Sequence, residues 1–301
     1  MQIRNNTIKE HAFMKILVTG GSGFIGKAFI KRYRKTFDIV APTHGEMDLL
    51  NARSIEAMFR QHRFDAVVHL AGVDERSAPS ALEADNLIMF KNIQYMSIVH
   101  GVKKLLIVGA GADFDRSRPI ADFTEDKFGD SIPTDGYGLG WYLVNLLASK
   151  DKITTSLRLF DVYGAGSNKP QINRIVAAGS RGKKTIVIDR DKTVSAISVE
   201  DVAKVITAFL RGDYPKGDYN LVSSDKTSYL EIAKSVKRAV RRDGGDIEIR
   251  IKNDRPDLEY TAANDKLVAT LGIKLTSTAN GVKKLYEELK PKRRGAADDG
   301  E

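Results

Sequence analysis

Residues 134–143 read TDGYGLGWYL. A phenol, Tyr137, stands four residues ahead of Trp141, the only tryptophan in the chain. Four residues is about one helical turn, so on a helix the two rings share a face. A phenol can give or take a proton. Its ordinary pKa of about 10 makes it an acid at neutral pH unless a neighbouring cation favours the phenolate. Trp141 supplies no such charge. The second chemical stretch is KILVTGGSGFIGKAFI, where an apolar run enters Gly20, Gly23 and Gly26 and continues as a helical pattern. This G-x-x-G-x-x-G turn is a variant of the dinucleotide fingerprint. Gly20 permits the tight turn, Gly23 lets backbone N–H groups approach a pyrophosphate, and Gly26 lets the helix pack on the strand. Phe24 and Ile25 lie in the same turn and join the predicted cofactor contacts. The helix N-terminus adds partial positive charge for the phosphates.

The elements that must hold these residues follow a regular alternation. Apolar runs at 15–19, 38–41, 65–71, 103–109 and 154–160 read as strands, several of them apolar throughout, as strands covered on both faces must be. Helical patterns lie between them near 24–35, 53–62, 84–100 and 136–150. The alternation predicts right-handed βαβ units, hence an α/β chain with a Rossmann-type, doubly wound parallel sheet. KTIVI at 184–188 and the helix at 198–210 read as one more strand–helix unit. After about 216 the pattern changes to a short strand (DYNLV), an amphipathic helix at 228–240, an alternating strand at 246–251 and two short helices near 264–271 and 279–289. We therefore expect a dinucleotide-binding domain over 14–165, completed by parts of 184–211, and a smaller α/β substrate lobe over 166–290. Residues 1–13 read as an extension before MKILVTGG, and 291–301 as a flexible tail.

Composition narrows the function. The chain has 301 residues, 42% hydrophobic and 29% charged, as expected of a folded soluble protein. There is no cysteine, which rules out disulfides and thiolate metal sites and fits a reducing cytoplasm. The five histidines have no ligand spacing, so no metal site is expected. No apolar run reaches the roughly 18 residues that span a membrane. The net charge of +9 is interleaved with acidic residues except in KPKRRG at 290–295, so nucleic acid is not the expected partner. After the second predicted strand no Asp or Glu follows at once. Thr43 and His44 stand there instead, with KRYRK at 31–35 nearby in sequence, which favours NADP while leaving NAD open.

Taken in order, further stretches resemble the extended short-chain dehydrogenase/reductases, the NAD(P)-dependent epimerase/dehydratase group acting on nucleotide sugars. They are TGGSGFIG, MDLLN at 47–51, FDAVVHLAG at 64–72, DNLIMFKNI at 85–93, RLFDVYGAG at 158–166, ISVEDVA at 197–203, YNLVSS at 219–224 and RPDLEYTAAND at 255–265. The resemblance spans 14 to about 290, and the short second-strand loop looks most like the dehydrorhamnose-reductase branch. It implies that Asp48 and Leu49 flank the adenine, that Ala71 and Gly72 line the cofactor, and that Asn86 stands behind the active site on the substrate side. Asp161 falls where relatives carry an Asn near the sugar phosphates, and Arg255 where an arginine grips the diphosphate. It also implies a nucleoside-diphosphate sugar as substrate and a homodimer formed through the helix bearing Tyr137.

Family enzymes pair a Ser or Thr after the fourth strand with Tyr-x-x-x-Lys. Here the hydroxyl position is Ala110, the tyrosine is Tyr137 and the lysine position is Trp141. Without the lysine, Tyr137 is expected to keep its proton, serving as a donor in carbonyl reduction but as a poor base for alcohol oxidation. Arg116 and Arg118 are the nearest candidate replacement cations, though a solvated loop is the simpler reading of both. Two functions remain open: a 4-keto reductase or epimerase with an altered site, and a catalytically impaired relative that binds dinucleotide or nucleotide sugar as a sensor or partner.

Overall fold

The computed structural model describes residues 13–73, 82–253, 255 and 259–291. The expected extension at 1–13, save its last residue, and nearly all of the expected tail lie outside the described residues.

The N-terminal half runs β1 (Lys15–Thr19), α1 (Phe24–Tyr33), β2 (Asp38–Val40), α2 (Ala52–Gln61), β3 (Ala66–His69), α3 (Leu82–Val99), β4 (Lys104–Ala110), β5 (Ile120–Phe123), α4 (Gly136–Ala148), β6 (Thr154–Leu159) and β7 (Asp161–Tyr163). The second half continues with α5 (Gln171–Ser180), β8 (Thr185–Arg190), β9 (Thr193–Ser198), α6 (Val199–Arg211), β10 (Gly217–Leu221), β11 (Lys226–Ser228), α7 (Tyr229–Arg242), β12 (Glu248–Asn253), β13 (Tyr260–Ala262), α8 (Asp265–Leu271) and α9 (Thr278–Leu289).

The main sheet is parallel, in the order β10-β6-β4-β3-β1-β2. Strand side chains alternate between faces, and both faces are apolar. Ile16, Val18, Val68 and Leu106 point to the side where α1 and α6 pack, through Phe29, Val202, Ile206 and Phe209. Leu17, Val67, Leu105 and Ile107 point to the other, against Ile55, Phe90, Ile93 and Val144 of α2, α3 and α4. This two-sided burial is why the strands read as unbroken apolar runs.

One sequence assignment is corrected. The strand at 184–188 does not extend this sheet. As β8 it pairs in parallel with β12, and its Ile186 and Ile188 pack against α5 and α7 in a separate core. The edge beside β6 goes to β10, the DYNLV stretch. The chain thus returns to the first domain after residue 166 with α6, with β10 and again with α8, whose Leu267 and Leu271 join the same core. The second lobe also holds a sheet ordered β11-β9-β13-β5, with β7 paired to β9. Among the described residues no helix is long and apolar enough to cross a membrane, and no group of acidic and imidazole side chains could hold a metal ion.

Candidate active site

The site lies at the C-terminal ends of β1, β3 and β4. Strand order places β2 on one side of β1 and β3 on the other, so the sheet has its switch point between β1 and β3, where α/β sheets bind ligands. A cleft of about 400 Å³ opens there, walled by Gly20 and Gly23, by Met47, Asp48, Leu49 and Leu50, and by Ala71, Gly72 and Met89, among others. Two glycines are indispensable to it. Gly20 has φ +68, and a Cβ on it would stand 2.6 Å from the Ala71 nitrogen. A Cβ on Gly26 would stand 2.3 Å from the Gly20 carbonyl oxygen. The N-cap of α1, Gly23, uses no side chain, and the first turn has no acidic residue. Its N–H groups are left to meet an anion. Phe24 and Ile25 are half-buried within that turn. The cradle fits a pyrophosphate.

The β3 end is braced from below. Thr19 and His69, opposite one another in the sheet, are hydrogen-bonded through Oγ1 and Nδ1 at 2.7 Å, and the Ala71 N–H reaches the same Thr19 oxygen at 3.4 Å. Burial holds the His69 imidazole down at about 4, so it is neutral. Asn86 accepts the Val73 N–H at 2.8 Å, which spends its carbonyl on the loop after β3, while its Nδ2 is buried without a partner.

At the β2 end the structure differs from expectation. Glu46 folds back and accepts from both the N–H (2.7 Å) and the hydroxyl (2.9 Å) of Thr43. These bonds lower its pKa, the backbone one most. A carboxylate therefore stands in the turn after β2, bonded to Thr43, and His44 of the same turn lines the cleft. The basic run at 31–35 begins near the far end of α1, with Lys31 about 10 Å along the axis from the glycine turn, since each helical residue rises about 1.5 Å. Neither the turn after β2 nor the basic run therefore decides between NADP and NAD.

Asp135 caps α4 by accepting the Gly138 N–H at 2.8 Å. Gly138 lies so close to the turn after β4 that a Cβ there would stand 2.5 Å from the Ala112 oxygen. This brings Tyr137 to the same end of the sheet as Ala110. Arg116 is not a solvated loop residue. It pairs with Asp135 at 2.7 Å, and its guanidinium carbon sits 5.6 Å from the centre of the Tyr137 ring. Arg118 is half-exposed and only loosely paired with Asp115, at 3.8 Å. Beneath them, the fully buried Arg158 of β6 donates to Asp113 at 2.6 Å, fixing the turn that follows Ala110.

Tyr137 and Trp141 do share a face, with ring centres 6.4 Å apart and nearly perpendicular. Trp141 is buried at 5% exposure. Its indole lies across the ends of β4 and β3: a Cβ on Gly109 would stand 3.0 Å from Cε3, and one on Gly72 would stand 3.3 Å from Cζ2. Its Nε1 is buried with no hydrogen-bond partner.

On the substrate side, Asp161 opens β7 and accepts the Tyr229 hydroxyl at 2.8 Å. Burial raises its carboxyl to about 6, against the pull of the Tyr229 bond and the Lys192 charge. Lys192 stands 4.4 Å from the centre of the Tyr260 ring, which lies tilted against Phe160 with ring centres 4.7 Å apart. Tyr260 feels the charges of both Arg116 and Asp161, so this cluster adjoins the Tyr137 end of the site. Lys192, Tyr229 and Tyr260 were not foreseen. Their only sequence signal is that Tyr229 follows a helix-capping serine and Tyr260 lies in a resembling stretch. Arg255 is exposed between β12 and β13, its N–H donating to Asn253.

Among curated proteins, the chain is 28% identical over 207 residues to a GDP-6-deoxy-D-talose 4-dehydrogenase of Aggregatibacter actinomycetemcomitans, covering 64% of this chain and 69% of that one. It is 27% identical over 216 residues to a GDP-L-fucose synthase of Azorhizobium caulinodans, with the same coverage. Among solved structures, a GDP-mannoheptose C4 reductase from Campylobacter jejuni with NADP bound superposes with a TM-score of 0.76 at 19% identity, covering 91% of this chain and 98% of that one. The Bordetella bronchiseptica enzyme WbmG in complex with NAD gives 0.77 at 18% identity, covering 94% and 97%. At such identities the structures establish the fold. The family model covers residues 16–221, more than half the chain, and the protein belongs to the NAD dependent epimerase/dehydratase family.

Proposed function

We propose that this chain is a catalytically impaired member of its nucleotide-sugar epimerase/reductase family, one that binds a dinucleotide or nucleotide sugar as a sensor or partner protein. The observation that carries this reading is the seat of Trp141. At the position where relatives use a lysine, a buried indole packs on Gly109 and Gly72 and offers no charge. Ala110 offers no hydroxyl to polarise a substrate oxygen. A nicotinamide, when bound, supplies or accepts the hydride. Of the residues that assist it in the family, this chain keeps Tyr137. Losing one general acid or base costs roughly 10²–10⁴-fold in rate.

Arg116 favours a second reading, a working 4-keto reductase or epimerase with an altered site. Its guanidinium beside the Tyr137 ring is a fixed cation that could take over the electrostatic part of the lysine's role. The double variant Ala110→Ser/Trp141→Lys separates the two. Turnover of nucleotide-sugar ketones appearing only in the double variant supports the impaired reading. Turnover by the wild-type chain refutes it.

The geometry also favours a ribose 2′-hydroxyl over a 2′-phosphate, because Glu46 brings negative charge to the end of β2. A second copy of the chain fits the exposed stripe Ile88, Tyr95 and Val99 of α3, with Leu146 of the neighbouring α4. Concentration-dependent sedimentation tests that homodimer.

A further inference from the structure

The wall of the cleft and the seat of Trp141 together limit what can enter. A nucleotide whose pyrophosphate rests on the α1 N-terminus places its adenosine toward β2, against Met47, Leu49, Leu50 and Met89. Anything attached beyond the second phosphate must continue the other way, over the ends of β3 and β4. Those two ends are Gly72 and Gly109, and the indole already lies on both. The fit is close. An alanine at Gly109 would press on Cε3 and Cζ3 at 3.0 and 3.2 Å. Two bare backbone positions, Gly109 in β4 and Gly72 in the loop after β3, thus form one slot for a flat ring.

The indole nitrogen supports the same conclusion. A tryptophan turned toward a ligand pocket would show its N–H to solvent or to a ligand. Here Nε1 has neither solvent nor partner. Leaving a buried donor unpaired is costly, so packing of the ring must outweigh that loss. The cleft walls, Thr19 through Met89, include neither Trp141, Tyr137 nor Ala110.

We infer that the cleft takes an adenosine diphosphate group alone, and that Trp141 occupies the space a second ribose and its nicotinamide would need. The glycine cradle fits the family's cofactor, and the far half of the site does not. This inference rests on the impaired reading above and makes it specific: the ligand sensed in this cleft is an adenine nucleotide rather than a redox cofactor.

Calorimetry of the full chain with ADP, ADP-ribose and NADH tests it. ADP is expected to bind at least as tightly as either larger ligand. Trp141→Lys is expected to shift the NADH-to-ADP affinity ratio about tenfold toward NADH. Trp141→Phe, which keeps an apolar ring in the slot, should shift it the same way by less. If the lysine variant fails to fold, the wild-type ratio and the phenylalanine variant decide. Wild-type NADH binding about tenfold tighter than ADP would overturn the inference. Without turnover, that result leaves the impaired reading standing. With NADH oxidation by a nucleotide-sugar ketone, both fall. Failure of all three nucleotides to bind, while a GDP- or UDP-sugar does, removes the inference alone.

Discussion

Replacing Gly26 by alanine tests whether the α1 N-terminus holds the phosphates. Gly26 is buried in the first turn of α1. The new Cβ would lie 2.3 Å from the Gly20 oxygen and 2.7 Å from the Gly21 Cα. Both are backbone atoms, and real Cβ atoms essentially never come under 3.0 Å, so the helix start must move outward by about 0.7 Å. One turn further along the same face, α1 is held by Phe29 in the core against α6, so the shift concentrates at the cradle. Overpacking of this kind costs about 1–3 kcal/mol, and the helix preference of alanine over glycine returns about 1 kcal/mol. The net loss of at most about 2 kcal/mol corresponds to at most about 3 °C in Tm for a chain of this length. Binding should suffer far more, because backbone N–H groups displaced by this distance no longer converge on a phosphate. We expect ADP affinity to fall by about tenfold or more while the protein remains folded. Gly45→Ala is the control, since nothing lies within 4 Å of its added Cβ. Thermal melts and calorimetry on both variants give the answer. A Gly26→Ala chain that binds ADP like wild type would show that the phosphates rest elsewhere.

Three further outcomes follow from charges around the cleft. His69 titrates at about 4 in the folded chain against 6.5 ordinarily. The unfolded chain therefore binds a proton that the folded one refuses. Its contribution is full above pH 6.5 and is lost as pH falls toward 4, by roughly 3 kcal/mol. Urea melts across that window should lose this slope in His69→Asn; an unchanged slope would assign it to other groups. Asp161 behaves oppositely: raised from 3.8 to about 6, it costs nothing at low pH and increasingly destabilises as pH rises through 6. Allowing for solvent at this half-buried residue, Asp161→Asn should gain about 1–2 kcal/mol at about pH 8 and nothing at about pH 3. Equal stability at the higher pH would mean that the carboxylate is compensated when ionised. Finally, Glu46→Gln should narrow the preference for ADP over 2′-phosphorylated ADP by up to about tenfold, and an unchanged ratio in binding assays would place the 2′ position away from Glu46.

What could be read from the sequence was local chemistry. The glycine turn is legible because the residues that shape it are consecutive, and two-sided burial leaves unbroken apolar runs for β1, β3 and β4. Partnership between distant segments was not legible. β8 and β10 are both short strands beside helices, and only the packing of Ile186 and Ile188 against α5 and α7 sends the first to the second lobe. Closeness in sequence misled at 31–35, because a helix carries its last turn away from the strand end where its first turn sits. It failed again at Glu46, whose side chain returns three residues to the end of β2. Trp141 shows the division most clearly. Its identity announced a missing lysine and, in its place, a bulky ring to crowd or stack beside the nicotinamide ribose. How closely it is seated depends on Gly72, in the loop after β3, and Gly109, in β4, which meet the ring only in the fold. A lysine leaves those glycines bare, whereas an indole needs them bare. A missing charge and a filled slot are separate consequences of one residue. Arg116 already sets a cation beside Tyr137 while the ring stays in place, so adding another there should recover no NADH binding by calorimetry.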